Sequence, residues 1–194
     1  MDILTLLEAL AVVLGIVYLV LAMRENSRCW YAAFLSTLIF LFLFWDVSLL
    51  MESALQVYYL IMAVYGWWQW RQPEREGGNT GPLWISRRTL RWHALAISGV
   101  LLASVVSGTL LADYTGAALP YLDSFTTWGA VLTTWMVARK ILENWLYWMV
   151  VDGISIFLYL DRELYFTAAL FAAYLVIVTV GFFSWKQTYH SQHA

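Results

Sequence analysis

Residues Glu143 to Tyr159 read ENWLYWMVVDGISIFLY, and the fold of the whole chain can be worked out from this stretch. It is too apolar for a soluble loop, yet polar or amphipathic side chains recur at spacings of four, four and three residues. Those spacings place them on one face of a helix. The four side chains are Asn144, Trp148, Asp152 and Ser155. Inside a bilayer, such a face lines a ligand-filled or water-filled cavity, or it bonds to neighbouring helices.

The composition of the 194-residue chain is that of a polytopic membrane protein. Hydrophobic residues make up 62% of it and charged residues only 12%, whereas a soluble domain carries about 25% charged residues. The sequence has no Walker-type loop, no His-Glu-x-x-His and no Cys-x-x-Cys, and its single cysteine, Cys29, cannot form an internal disulfide. We therefore expect no metal, no cofactor and no enzymatic activity. A membrane-embedded enzyme would need a paired acid and base or a metal cluster.

The hydrophobic runs predict one all-α transmembrane domain over residues 1–194, with seven membrane-spanning helices. They fall at residues 3–22, 30–45, 47–70, 92–112, 121–138, 144–160 and 164–185. Because no basic residue precedes the first run and no cleavage site follows it, we predict a transmembrane helix there and not a signal peptide.

The basic residues predict the orientation of these helices. Seven spans put ten of the eleven Lys and Arg residues on one side of the membrane and only Arg162 on the other. By the positive-inside rule, the N-terminus lies outside and the C-terminus in the cytoplasm. The ten residues are Arg24, Arg28, Arg71, Arg75, Arg87, Arg88, Arg91, Arg139, Lys140 and Lys186.

The chain also repeats itself with a shift of 115 residues. Residues 3–72 and 118–187 align without a gap and share 16 identities, where this composition would give about 5 by chance. Each unit holds three helices, so a linking helix, residues 89–112, is needed to restore parallel orientation. The sequence thus predicts a 3+1+3 parallel repeat, a SWEET-like architecture, in which a substrate binds between the halves.

The polar positions differ between the two halves. Asp152 in the second half aligns with Thr37, whereas Gln56 in the first half aligns with Phe171. Residues present in one half only are expected to serve an asymmetric ligand. Tyr59 lies on the same predicted helix face as Gln56 and adds to the polar set of the third helix.

Asp152 is the most informative of these positions. It lies eight residues along its helix from Asn144, which is about 12 Å deeper and near the middle of the bilayer. A carboxylate at that depth, with Trp148 one turn away, resembles the inside of a cation-binding cavity. The alternative is a structural hydrogen bond from Asp152 to a neighbouring helix.

Four tryptophans lie at the cytoplasmic ends of their predicted helices and align in pairs under the repeat. They are Trp30 with Trp145 and Trp70 with Trp185. Tryptophan is enriched at membrane–water interfaces, so we expect these side chains to act mainly as interfacial anchors.

Two stretches of the chain resemble the PnuC family of vitamin transporters. One spans residues 55–70, with LQVYY at its start and YGWWQW at its end; the other, residues 123–155, reads DSFTTWGAVLTTWMVARKILENWLYWMVVDGIS. The resemblance covers nearly the whole chain. It implies a homotrimer in the inner (plasma) membrane of a bacterium, with the 3+1+3 layout. It also implies facilitated uptake of nicotinamide riboside for NAD biosynthesis, and a cytoplasmic kinase that traps the substrate; nucleic acid is not an expected partner.

The resemblance also assigns site residues by position. It carries over Gln56, Trp67, Trp70, Asn144, Trp145 and Trp148. Together with Tyr59, Asp152 and Ser155 from the helix faces, these form the predicted substrate-binding set. Some nicotinamide riboside members have Asn where this chain has Asp152.

The chemistry of this set favours an aromatic cation. Trp148 and Trp67 can stack on a cationic ring, while Asn144 and Gln56 offer amide donors and acceptors. Nicotinamide riboside ranks ahead of thiamine. A phosphorylated substrate is disfavoured because no Lys or Arg falls within the apolar cores. A proton-coupled exporter of organic cations is the alternative from another class, and dependence of transport on a proton gradient would distinguish it.

Overall fold

The computed structural model of the chain describes residues 3–46, 50–71, 83–114, 119–161 and 165–193, and these form seven α-helices. The helices are α1 (Ile3–Met23), α2 (Cys29–Asp46), α3 (Leu50–Trp70), α4 (Leu90–Tyr114), α5 (Pro120–Ala138), α6 (Asn144–Asp161) and α7 (Tyr165–Gln192). The predicted number and order of helices are confirmed. The predicted end of α7 at residue 185 is wrong, because the polar residues that follow contain no Gly or Pro to stop the helix.

Three of the described helices contain stretches that are clearly long and apolar enough to cross a membrane. These stretches are Ile3–Met23, Leu90–Tyr114 and Ala168–Gln192, and α2 contains a shorter apolar run, Cys29–Trp45. The helices α5 and α6 are less apolar because they bury polar side chains inside the protein, among them Thr133 and Asp152. Their outer faces remain apolar, as the exposed Val150 and Phe157 of α6 show.

Six of the helices form a closed ring. Neighbours along the chain pack together, α1 on α2, α2 on α3, α5 on α6 and α6 on α7, and the ring is closed by α3 on α5 and α1 on α7. Within the described ranges, no two helix backbones lie close together across the ring, and the contacts across it are between side chains, such as Trp70 of α3 and Trp185 of α7. The remaining helix, α4, lies outside the ring along α5.

The turns that join α1 to α2 and α5 to α6 have the same backbone conformation. Glu25 and Lys140, which the 115-residue shift aligns, both have left-handed φ angles, 54° and 48°. In each turn the next backbone N–H donates to a carbonyl of the preceding helix, at 3.0 Å in the first turn and 2.9 Å in the second. These matched turns support the predicted repeat.

The segment that leads into α4 is fixed to the turn between α5 and α6. The backbone N–H of Ser86 donates to the Lys140 carbonyl at 3.0 Å, and the N–H of Leu142 donates to the Ser86 carbonyl at 2.9 Å. Arg87 adds an ion pair with Glu143, also at 2.9 Å. Residues 72–82, which make up much of the predicted polar connector, lie outside the described residues.

Candidate functional site

A tryptophan cluster, formed by Trp30, Trp70, Trp145 and Trp185, fills the end of the ring where the α1–α2 and α5–α6 turns lie. The ring centroids are 5.4 Å apart between Trp30 and Trp70, 6.0 Å between Trp70 and Trp185, and 5.3 Å between Trp185 and Trp145. Three of the four side chains are at most 2% exposed. The prediction of interfacial anchors is therefore wrong for these three, since an aromatic belt and a buried aromatic cluster leave the same pattern at helix ends.

Two glycines make room for this cluster. A Cβ atom at Gly181 of α7 would lie 2.7 Å from the Trp145 ring, and one at Gly66 of α3 would overlap the Trp30 ring. The 115-residue shift aligns the two glycines as it aligns the two tryptophans. The close approach of helix backbone to indole ring thus occurs once in each half.

Hydrogen bonds from the cluster join one half of the ring to the other. The indole N–H of Trp70 on α3 donates to the carbonyl of Ala138 on α5 at 3.2 Å. Trp185 on α7 donates to the carbonyl of Ala22 on α1 at 3.0 Å. Both acceptors are carbonyls of the last helical turn, which lack a partner within their own helix; the Ala22 carbonyl also accepts from the Glu25 backbone N–H at 3.0 Å.

Three buried polar atoms at this end have no hydrogen-bond partner among the described residues. They are the indole nitrogens of Trp30 and Trp145 and the amide oxygen of Asn144. The amide nitrogen of Asn144 is satisfied, since it donates to the Ile141 carbonyl at 2.7 Å. Leaving a buried polar atom unpaired costs about 1–3 kcal/mol, so a polar ligand that bonds these atoms would recover that energy.

The polar face predicted for α6 is confirmed as a buried face. Asn144, Asp152 and Ser155 are 0%, 4% and 7% exposed. Trp148, on the same face, is partly buried against the hydrophobic core. Among the described residues, the Trp148 ring has no hydrogen bond, no aromatic contact and no cation, so these interactions are left for a ligand.

Asp152 has neither a hydrogen bond nor an ion pair from the described residues. Its electrostatic neighbour is Tyr174 on α7. The Tyr174 hydroxyl lies where α1, α2 and α7 meet, because a Cβ atom at Gly15 would be 3.7 Å from it and equally far from the Ser36 hydroxyl. The structural hydrogen bond weighed as the alternative role of Asp152 thus has no partner in the described part of the chain.

The α3 residues of the predicted set divide into two groups. Gln56 and Tyr59 are partly buried, and Tyr59 is close enough to Tyr18 of α1 to interact with it electrostatically. Trp67 already has partners, since its indole N–H donates to the Tyr31 hydroxyl at 2.9 Å and Arg71 lies over its ring at 5.2 Å. Tyr31 and Arg71 are both exposed, so these contacts do not support stacking of Trp67 on the ligand that Trp148 would bind.

Several residues near this site were not found from the sequence. Tyr174 had a signal that could have found it, because it aligns with Tyr59 under the repeat. Tyr18 and Ser36 have no counterpart of the same type in the second half, so neither periodicity nor alignment marks them. Among the described residues, no three His, Cys, Asp or Glu side chains come together as a metal site.

Comparisons with known proteins agree on the family. A family model described as "Nicotinamide mononucleotide transporter" matches residues 5–187. The nicotinamide riboside transporter PnuC of Escherichia coli is 23% identical over 90% of this chain and 81% of its own length. The riboflavin/roseoflavin transporter RibM of Streptomyces davaonensis is 24% identical over 89% of this chain and 81% of its own length.

The fold leads to the same family. The crystal structure of the vitamin B3 transporter PnuC superposes with a TM-score of 0.76 at 20% identity, covering 98% of this chain and 84% of that one. The matched relatives are transporters and not enzymes, and this chain is a multi-pass bacterial membrane protein of the same kind. An all-helical ring, a buried polar face on α6 and a family match over residues 5–187 lead to one conclusion: the chain belongs to the PnuC family of vitamin transporters.

Proposed function

We propose that this protein takes up nicotinamide riboside across the bacterial inner membrane by facilitated diffusion. The observation that carries the proposal is Asp152, a carboxylate that is 4% exposed and has no ion pair from the described residues. A buried carboxylate without a counter-charge is costly. A ligand with a positively charged ring would supply that charge.

The surroundings of Asp152 match the other parts of nicotinamide riboside. Trp148, one helical turn away, is a partly buried indole on which a pyridinium ring can stack. The unpaired amide oxygen of Asn144 can accept a hydrogen bond from the carboxamide or from a ribose hydroxyl. The three side chains share one face of α6, so a single elongated ligand could contact all of them.

The positions of the basic residues favour the riboside over its phosphate ester. A phosphate group is normally bound by Arg, Lys or a helix N-terminus. The described Lys and Arg residues lie in connectors or near helix ends, and none lies on the buried face of α6. Beside Asp152, where a phosphate would meet a carboxylate and no cation, a nucleoside therefore suits the site better than nicotinamide mononucleotide, although the family model carries the mononucleotide's name.

Transport by this protein should need neither ATP nor an ion gradient. The sequence has no nucleotide-binding loop, and the described residues have no cluster suited to a coupling metal ion. In proteoliposomes we expect uptake that stops when the two concentrations are equal. Accumulation above that level, driven by a proton or sodium gradient with no trapping enzyme present, would contradict the proposal. Dependence on the proton gradient in particular would favour the proton-coupled exporter.

Three further features are proposed, the last two of them from the resemblance. They are the orientation with the C-terminus in the cytoplasm, the homotrimer, and a cytoplasmic kinase that traps the imported substrate. The positive-inside pattern supports the first of them independently.

A flavin is the second candidate substrate. RibM, a riboflavin/roseoflavin transporter, is as similar to this chain as the E. coli nicotinamide riboside transporter is. The isoalloxazine ring is neutral and would leave Asp152 without a counter-charge. Thiamine, which has a cationic thiazolium ring, remains the alternative within the cation class.

Calorimetry on the purified protein would test the proposal. Nicotinamide riboside, thiamine, riboflavin and an uncharged analogue of nicotinamide riboside are titrated into the parent protein and into Asp152→Asn. We expect nicotinamide riboside to bind best to the parent and the uncharged analogue to bind markedly worse. Asp152→Asn should narrow that difference by about 1 kcal/mol or more.

The outcomes separate the alternatives. A difference that survives unchanged in Asp152→Asn means that Asp152 is structural. Binding of thiamine alone keeps the cation argument but changes the substrate. Preferred binding of riboflavin overturns the charge argument itself.

A further inference from the structure

We propose that Glu25 and Lys140 form a latch that holds the tryptophan end of the ring closed, and that transport requires this latch to open. The proposal rests on the transport function proposed above. The Lys140 ammonium is 2.8 Å from a carboxylate oxygen of Glu25. Glu25 belongs to the α1–α2 turn and Lys140 to the α5–α6 turn, so the ion pair joins the two halves.

The pair lies directly on the tryptophan cluster. The Lys140 ammonium is 4.9 Å from the ring centroid of Trp70. The side chains of Lys140 and Glu25 are only 12% and 18% exposed. Both the ion pair and the cation–π contact are therefore partly shielded from solvent, and together they cover the cluster at the end of the ring.

The backbone at these positions shows that the side chains have a role of their own. A left-handed residue after a helix C-terminus is usually Gly, because a Cβ atom is strained there. Both latch positions are left-handed, yet both carry long charged side chains. The stability of the turn alone would favour Gly at either position, and the pairing of the two charges supplies a reason to retain Glu and Lys.

Opening this end of the ring has to separate the latch. The cluster hydrogen bonds from Trp70 and Trp185 also run between halves, so any movement that parts the halves here breaks them together with the ion pair. A transporter exposes a central site to one side at a time. The ion pair therefore has to break and re-form in every cycle.

Cys29 is a native reporter of the latch. It is the only cysteine in the chain, it is 0% exposed, and it lies close enough to Lys140 to interact with it electrostatically. While the latch is closed, a maleimide cannot reach its thiol. The rate at which Cys29 is alkylated in the purified protein should therefore report how often this end opens. Removing Lys140 also removes a positive charge near the thiol, which by itself slows alkylation, so the Glu25→Gly variant, which keeps Lys140, is the decisive one.

The test compares the Cys29 alkylation rates of two single charge-reversal variants with the rate of the double variant that carries both reversals. We expect Glu25→Lys and Lys140→Glu each to raise the alkylation rate by about tenfold or more, since like charges then face each other. The double reversal should bring the rate most of the way back. Lys186→Glu is the matched control, because Lys186 is a basic residue near the same end that has no ion pair among the described residues; its rate should equal that of the parent.

Glycine variants separate opening from unfolding. Glu25→Gly and Lys140→Gly remove the pair but relieve the left-handed backbone. We expect faster alkylation of Cys29 with an unchanged or higher Tm, a result that loss of structure cannot produce. They also keep the test informative if a charge reversal fails to fold.

Two results would overturn the latch. One is parental alkylation in the glycine variants, and the other is a double reversal that reacts as fast as the single ones. Nicotinamide riboside counterflow in proteoliposomes then connects the latch to transport, and unchanged counterflow rates in the single variants would contradict the gating role. Since alkylation is measured without substrate, a parent protein that carries no nicotinamide riboside would refute the proposed function while leaving the latch result readable.

Discussion

At the scale of single residues, Trp148 and Trp68 make a matched pair of indoles. Trp148 lies on the buried face of α6 beside Asp152, whereas Trp68 on α3 is 54% exposed. If Trp148 stacks on a desolvated cationic ring, Trp148→Ala should weaken binding of nicotinamide riboside by about 1–3 kcal/mol. Trp68→Ala should leave the affinity unchanged. Calorimetry on both folded variants checks this, and equal losses would mean that Trp148 is not specific to the site.

For single residues, the sequence predicts well which side chains are buried and predicts poorly which other side chains they contact. The spacing of Asn144, Asp152 and Ser155 was enough to predict one buried face, since helix geometry alone determines it. Whether Asp152 has a hydrogen-bond or ion-pair partner depends on residues of other helices. The spacing of polar residues within α6 carries no information about those helices. The Glu25–Lys140 pair was missed for the same reason, although the repeat aligns the two positions.

At the scale of helices, Gly181 and Gly99 should respond differently to the same substitution. A methyl group at Gly181 would press on the Trp145 ring, whereas one at Gly99 of α4 meets nothing within 4 Å. Overpacking costs about 1–3 kcal/mol, so Gly181→Ala should lower the Tm of the detergent-purified protein. Gly99→Ala should keep or slightly raise the Tm, because Ala is the better helix former by about 1 kcal/mol.

A second substitution would test whether contact with the Trp145 ring causes the lower Tm expected for Gly181→Ala. Removing part of the Trp145 ring, as in Trp145→Leu, should make the protein insensitive to Gly181→Ala. If the decreases in Tm of Gly181→Ala and Trp145→Leu are additive in the double variant, a clash with the Trp145 ring is not the cause of the Gly181→Ala effect.

Helix order was predictable from hydropathy, but the roles of the helix ends were not. Apolarity stops at residue 185, so hydropathy predicts too early an end for α7, while the helix continues to Gln192. Their position at helix ends predicts membrane-surface anchors for Trp30, Trp145 and Trp185. The sequence of one helix does not show the glycines that receive the rings of Trp30 and Trp145, because these lie on a different helix. The contact becomes visible only when helices are paired.

At the scale of the whole molecule, the orientation in the membrane can be tested from two exposed positions. In a Cys29→Ser background, Asp113→Cys lies at the end of α4 and Ser191→Cys near the end of α7. An impermeant maleimide added to intact cells should label Asp113→Cys and should reach Ser191→Cys only after permeabilisation. The opposite pattern would mean that the positive-inside assignment is wrong for this chain.

The two contacts that close the ring have a consequence for how such a molecule can be built. Exchanging α1, α2 and α3 with α5, α6 and α7 turns the α1–α7 contact into the α5–α3 contact, which is also observed. This is the rule of an isologous interface, in which one surface patch meets the other patch of an identical partner.

Two separate copies of a single three-helix chain would satisfy the same rule and close the same ring. Because α4 links the two halves in one chain, every ring contains one copy of each half. Only then can one half change without the other. The second half can then carry Asn144 and Asp152 at the positions where the first half carries Cys29 and Thr37. Covalent linkage is what would allow a ring built from two similar halves to hold a ligand that has no symmetry.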